Sequence, residues 1–322
     1  MKLKKILYIL LLLIQSTFEL KYTNPVIRLD APDPSVIKAD NGWFYLYATG
    51  EGIYKSLDLF RWKYVRKAFQ GKQRPSFVNV NAYRAPCITK QGKKYILYYA
   101  LSVWGGIDSA GIGVATSASP EGPFNIIGNG KLFTSSEIGV KNSIDPFYFQ
   151  EGKKKYIIWG SWYGIHAVEL TDNGLAIKNK NKIRLAGTAF EAPYIYKRGK
   201  YYYLFASIGS CCEGDNSKYQ TVVGRSTSFN GPYLNKSGGK MLDNHYTVLL
   251  SGNNKFVGPG HNSRIIVDKN KKTWMLYHAY IRGQSKIGRT VCLDEVRWTK
   301  DGWPYFNNNG PSSTTLTAPF IR

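Results

Sequence analysis

The sequence predicts an all-β protein built as a five-bladed β-propeller, and three observations lead there. Five segments along the chain repeat one hairpin pattern. Aromatic residues are abundant at 15%, with 24 Tyr, and 32 Gly accompany them, a composition that suits strands joined by tight turns. No stretch sustains the 3.6-residue apolar period of an amphipathic helix. With 322 residues, 43% of them hydrophobic, the chain is long enough for a large buried core, which excludes disordered and collagen-like classes.

The N-terminus stands apart from the repeats. Lys2, Lys4 and Lys5 precede the apolar run Ile6–Ile14, nine residues that suit a signal-peptide core and fall short of a bilayer span. Residues 1–20 are therefore read as a signal peptide, and 21–322 as one propeller domain without a linker. The expected locations are secreted or periplasmic, with no membrane span. Four cysteines, Cys87, Cys211, Cys212 and Cys292, are too few for a disulfide scaffold in a chain this long, and no CxxC or Cys/His zinc spacing occurs. The adjacent Cys211 and Cys212 are either two thiols or a vicinal disulfide.

The hairpins follow in order. They are 33–49 (DPSVIKADNGWFYLYAT), 85–100 (APCITKQGKKYILYYA), 145–161 (DPFYFQEGKKKYIIWGS), 192–207 (APYIYKRGKYYYLFAS) and 262–280 (NSRIIVDKNKKTWMLYHAY). Each is two β-branched and aromatic runs around a Gly, Asn or Lys turn. Pro34, Pro86, Pro146, Pro193 and Ser263 occupy equivalent places, 52, 60, 47 and 70 residues apart. A further strand follows each hairpin, as in 52–62, 111–124, 164–174, 222–233 and 290–303. About four strands per unit is the content of one propeller blade.

Inner strands of a propeller converge on its axis, so the residues that open them share a pocket. Before the equivalent Pro or Ser stand Asp33, Ala85, Asp145, Ala192 and Asn262; one residue earlier stand Pro32, Arg84, Ile144, Glu191 and His261. The residue before a proline is expected to be extended, which would aim the Asp side chains. Asp-Pro alone is a common turn opener. Three acids and a His in register, in a chain with only 21 acidic residues, point instead to chemistry. Converging carboxylates suit glycosidic hydrolysis, in which one activates water, a protonated one gives its proton to the leaving oxygen, and mutual repulsion raises a pKa.

The motifs Ala31-Pro-Asp-Pro-Ser35, Asn142-Ser-Ile-Asp-Pro146, Phe190-Glu-Ala-Pro193 and Gly258-Pro-Gly-His-Asn-Ser263 resemble glycoside hydrolase family 43, and within it the endo-α-1,5-L-arabinanases. Tyr83-Arg-Ala-Pro86 and Gly209-Ser-Cys-Cys212 extend the resemblance over nearly the whole mature length. It implies a five-bladed, inverting hydrolase of arabinan, the neutral side chain of pectin, with Asp33 as general base, Glu191 as general acid and Asp145 orienting and tuning the acid. It also implies calcium at the propeller centre near His261; without metal, His261 would be an orienting hydrogen-bond donor, and calcium's preference for oxygen makes a His ligand unusual. Trp104 and Trp162, beside Gly-rich turns, are candidate sugar platforms or wall aromatics, and Asn142 and Ser161 candidate partners of sugar hydroxyls.

Other function classes are weaker on this sequence. The net charge of 44 − 21 = +23 raises nucleic-acid binding, yet no nucleic-acid motif appears and a signal peptide argues against an intracellular partner. Attraction to acidic pectin is a second reading of the same charge. A sugar-binding propeller without catalysis has no use for the three acids. An exo-acting α-L-arabinofuranosidase or β-xylosidase of the same family is the nearest rival, because loops around the funnel decide between endo and exo cleavage. A monomer is expected.

Overall fold

A computed structural model of the chain describes residues 19–71, 74–78, 83–103 and 107–321. Residues 1–18 of the expected leader and the candidate platform Trp104 lie outside them. Five antiparallel sheets form five blades, each made from one contiguous run of chain. Blade 1 contains Ser35–Lys38, Phe44–Tyr47, Gly52–Ser56 and Lys63–Lys67. Blade 2 contains Tyr83–Gln91, Lys94–Leu101, Gly111–Ser117 and Asn125–Thr134. Blade 3 contains Phe147–Glu151, Lys154–Trp159, Ile165–Leu170 and Ile177–Ala186. Blade 4 contains Glu191–Arg198, Tyr201–Ile208, Gln220–Ser226 and Thr247–Leu250. In blade 5 the inner strand is split into Phe256–Gly260 and Ile266–Val267, both paired with Thr273–Ile281, followed by Thr290–Trp298 and Pro304–Tyr305. All five repeat hairpins are the inner two strands of a blade.

Side-chain alternation explains why the second strands read as unbroken apolar runs. Successive residues point to opposite faces of a strand, and both faces of a blade are covered by neighbours. Tyr45 and Tyr47 join the cluster between blades 1 and 2, while Phe44 and Leu46 join the one between blades 1 and 5. Leu97 and Tyr99 face blade 1, whereas Ile96 and Tyr98 face blade 3, where Tyr98 stacks on Tyr148 at 6.0 Å. Five such clusters, one per blade interface, make the core a ring rather than a single centre.

The N-terminal segment closes the ring from outside. Lys21–Tyr22 pairs with Leu316–Thr317, and Val26 donates its N–H to the Val291 carbonyl at 2.8 Å. Asn24 Nδ2 and Tyr277 Oη both donate to buried Asp294 Oδ2, at 2.9 and 2.5 Å, fastening the segment to blade 5.

Candidate active site

The inner strands open at one end of the propeller on strained backbone. Asp33, Ala85, Asp145, Ala192 and His261 have φ of 58, 38, 59, 53 and 47°. This corrects the expectation of extended residues before the prolines. Proline bars its predecessor from the right-handed helical region without dictating extension, and contacts within and between blades hold the left-handed form. Asp33 N–H donates to His278 Nδ1 (3.2 Å), Ala85 N–H to Thr49 Oγ1 (2.7 Å), Ala192 N–H to Asp145 Oδ2 (3.2 Å) and His261 N–H to Ser207 Oγ (2.9 Å). In blade 5 the matching residue is His261, one position before the Asn262 that repeat alignment selects.

These turns converge on a cavity of about 370 Å³ whose walls include Asp33, Asp145, Glu191 and His261, together with Asn142, Ser161 and Trp162. The three acids are buried, and Trp162, 39% exposed, stands at the mouth. Asn142 Nδ2 donates to the Ser161 carbonyl at 3.3 Å, leaving its own carbonyl oxygen as the group for a sugar hydroxyl. The Ser161 hydroxyl donates to Glu191 Oε2 at 2.8 Å, so in this structure it orients an acid.

Two electrostatic environments divide the cavity. Burial opposes ionisation of Asp33, but Arg289, followed by His261 and His278, outweighs it and holds Asp33 well below the usual carboxylate range. Arg289 Nη1 lies 3.1 Å from Asp33 Oδ1, and Thr49 Oγ1 donates to Oδ2 at 2.6 Å. Burial lowers both imidazoles, His278 to about 4, so at neutral pH Arg289 is the cation that matters. Across the cavity, among the described residues, no cation forms an ion pair with Asp145 or Glu191; Arg84 and Arg289 act on them only from farther away. Burial and then the charges of Glu191 and Asp33 push Asp145 well up. Burial also raises Glu191, opposed by hydrogen bonds from Tyr219 and Ser161. Asp145 and Glu191 thus form a pair that retains a proton.

Close backbone approaches place the partners. Arg289 N–H bonds Asp30 Oδ1 at 2.8 Å, and a Cβ on Gly288, whose φ is +94°, would fall 2.3 Å from that same oxygen. A Cβ on Gly260 would fall 2.2 Å from the Tyr219 ring, so the Gly-Pro-Gly-His motif makes room for the tyrosine that bonds Glu191. Cys211 and Cys212 form a vicinal disulfide in the cavity wall.

Thr49, Ser207, Tyr219, His278 and Arg289 are not singled out by the sequence reading. Thr49, Ser161 and Ser207 do share a signal, each being a hydroxyl residue that ends its repeat hairpin. Arg289 and Tyr219 lie outside the hairpins and carry none.

A metal finds few protein ligands here. Calcium takes six to eight oxygen ligands. Among the described residues no group of three or more His, Cys, Asp or Glu is placed to hold an ion. Among the described residues, Asn262 Oδ1, next to His261 in the chain, and His278 Nε2 are buried without a hydrogen-bond partner. The residues therefore fit only an ion bound beside His261 mainly through water.

The chain is similar to known hydrolases over most of its length. It is 32% identical to an extracellular exo-α-(1→5)-L-arabinofuranosidase of Cellvibrio japonicus, covering 86% of each chain. It is also 32% identical to an extracellular endo-α-(1→5)-L-arabinanase of Bacillus subtilis, over 85% of this chain and 87% of that one. The structure of Cellvibrio cellulosa α-L-arabinanase complexed with arabinohexaose superposes with a TM-score of 0.79 at 27% identity, covering 87% of this chain and 96% of that one. The family model for glycosyl hydrolases family 43 matches residues 22–304, which span all five blades. The chain is a glycoside hydrolase and belongs to glycosyl hydrolases family 43.

Proposed function

We propose that this protein is an exported, monomeric, inverting hydrolase that cuts α-1,5-linked L-arabinan by endo action. The observation that carries the mechanism is the division of its buried carboxylates between a cation-held Asp33 and a proton-retaining Asp145–Glu191 pair. Asp33, ionised, takes a proton from a water attacking the anomeric carbon. Glu191 gives its proton to the leaving sugar oxygen, and Asp145 keeps the acid's pKa high and its orientation fixed. Attack by water opposite the leaving group inverts the anomeric centre. Ser161 and Tyr219 hold the Glu191 carboxyl, while Thr49 and Arg289 hold that of Asp33. Trp162 offers a face for a sugar ring, and Asn142 a polar contact. A calcium ion beside His261, largely water-liganded, would add positive charge near Asp33; exhaustive chelation that leaves activity unchanged, with no metal bound, removes that part of the proposal.

Arabinan as substrate is supported by the arabinan-directed names of both relatives and by the arabinohexaose complex. Export is supported by the basic-apolar leader and by the extracellular designation of both relatives. Exo action remains the second reading, because the exo-acting relative is as similar as the endo-acting one. A product time course on linear arabinan tests both. Mixed oligosaccharides appearing early are the expected result, and arabinose alone from the start overturns endo action.

A further inference from the structure

A second cavity lies at the opposite end of the propeller, between blades 1 and 5. Its volume is about 580 Å³. Blade 1's inner strand, Ser35–Lys38, begins two residues past Asp33, and Lys38 at its far end is five residues on, roughly 16 Å at strand rise, so the cavity's cations are separated from the acids. Four cations line it: Lys38, Arg264, Lys269 and Lys271. Elsewhere the chain pairs many of its lysines, as in Lys55–Glu121, Lys131–Glu137 and Lys197–Glu151. Among the described residues none of these four forms an ion pair. Arg264 is half-buried; its Nη2 donates to the Ile88 carbonyl at 2.9 Å and its side chain reaches the buried Cys87 thiol, but no carboxylate among the described residues pairs with it. A half-buried guanidinium without a carboxylate is an unfavourable arrangement unless an anion completes it.

The single acid in the lining, Asp268, is already engaged. Its Oδ1 accepts Lys272 N–H at 2.9 Å, and its Oδ2 accepts Trp274 Nε1–H and Phe320 N–H at 2.9 and 3.3 Å. The remaining wall is apolar, with Phe44, Ile266 and Ile321 beside the cations. Lys38 sits over the Phe44 ring at 5.4 Å and Lys269 over Phe320 at 5.7 Å. Cations alternating with apolar surface match a ligand that carries both a carboxylate and an apolar ring face. Inorganic phosphate offers only the charge.

We propose that this cavity binds a uronic-acid segment of an acidic polysaccharide. The proposal rests on the reading that the enzyme acts on arabinan, for it makes the lower face an anchor on the acidic backbone that carries such side chains. Arg264 and the three lysines receive the carboxylates, and the apolar wall packs against the sugar ring. Because the two cavities lie at opposite ends, the anchor leaves the catalytic funnel open.

The test measures retardation of the full mature protein in gels containing polygalacturonate, at low and at high salt. The triple variant Lys38→Gln/Lys269→Gln/Lys271→Gln is compared with Lys153→Gln/Lys180→Gln/Lys200→Gln, which removes the same charge from exposed positions elsewhere. The cavity triple is expected to weaken binding about tenfold and the control less than about twofold. Both should hydrolyse soluble linear arabinan as the parent does. Equal weakening by the two triples, or no retardation of the parent, overturns the site. Equally tight, equally cavity-dependent binding of heparin or DNA overturns the uronate assignment. Loss of arabinan hydrolysis in the parent would instead strike the catalytic reading.

Discussion

The two sides of the catalytic cavity share burial and differ in their partners. On the side of blades 1 and 5, Asp33 faces Arg289 and two imidazoles and is held ionised. On the side of blades 3 and 4, Asp145 and Glu191 act on each other, with hydroxyl donors to Glu191 and no ion-paired cation among the described residues, and are pushed toward the protonated form. Carboxylates that are identical in solution thereby acquire opposite duties, and the base and the acid are told apart by environment. The ring of left-handed residues at the strand openings helps set this up, because it turns Asp33, Asp145 and the Glu191–Ala192 segment toward one cavity.

Removing one member of the pair breaks the contrast most severely. Asp145→Asn should lower kcat by about 10²–10⁴. Asp145 and Glu191 share a retained proton, so a neutral amide at 145 leaves Glu191 without the partner whose ionisation competes with its own; Glu191 should then lose its proton at lower pH, and the basic limb of the kcat/KM profile should move acidward. Arg289→Met attacks the opposite side, with an expected loss of about 10–10². Without the guanidinium the Asp33 pKa rises, so the acidic limb should move to higher pH; Arg289 also lowers Glu191 from farther away, so the basic limb should move the same way but less. Pre-steady-state or steady-state pH profiles separate these two displacements.

Smaller effects sharpen the same comparison. Ser161→Ala removes one hydrogen bond to the ionised form of Glu191, worth about 1–2 kcal/mol, or roughly a tenfold loss in kcat. Because that bond opposes the rise in pKa, its removal should move the basic limb to higher pH, contrary to Asp145→Asn. Asp294 is a buried carboxylate outside the cavity, bonded to Asn24 and Tyr277. Asp294→Ala should leave kcat/KM unchanged and lower stability by about 1–3 kcal/mol, read in thermal unfolding.

The repeats were legible because a blade needs its alternating apolar strands regardless of function, and that demand writes five similar hairpins. Asp33, Asp145, Glu191 and His261 were legible because they sit in register at the strand openings. Their partners were harder to read. Arg289 reaches Asp33 through the Asp30–Gly288 approach, a contact between segments more than 250 residues apart that no local pattern announces. Tyr219 bonds Glu191 from a third-strand approach that becomes visible only once Gly260 is seen to make room for it. The left-handed turns are not legible because a proline restricts its predecessor without choosing among the conformations that remain.

The central claim, that Asp33 is the base and Glu191 the acid, is tested most directly by varying the leaving group. Hydrolysis of linear arabinan and of an aryl α-L-arabinoside with an activated leaving group is measured for Glu191→Ala and Asp33→Ala. The acid's proton matters less as the leaving group improves, whereas activated water is needed in both reactions. Glu191→Ala should therefore lose about 10²–10⁴ on arabinan and far less on the aryl substrate, while Asp33→Ala loses comparably on both. Equal losses for Glu191→Ala on the two substrates, or recovery of Asp33→Ala on the activated one, would contradict the assignment.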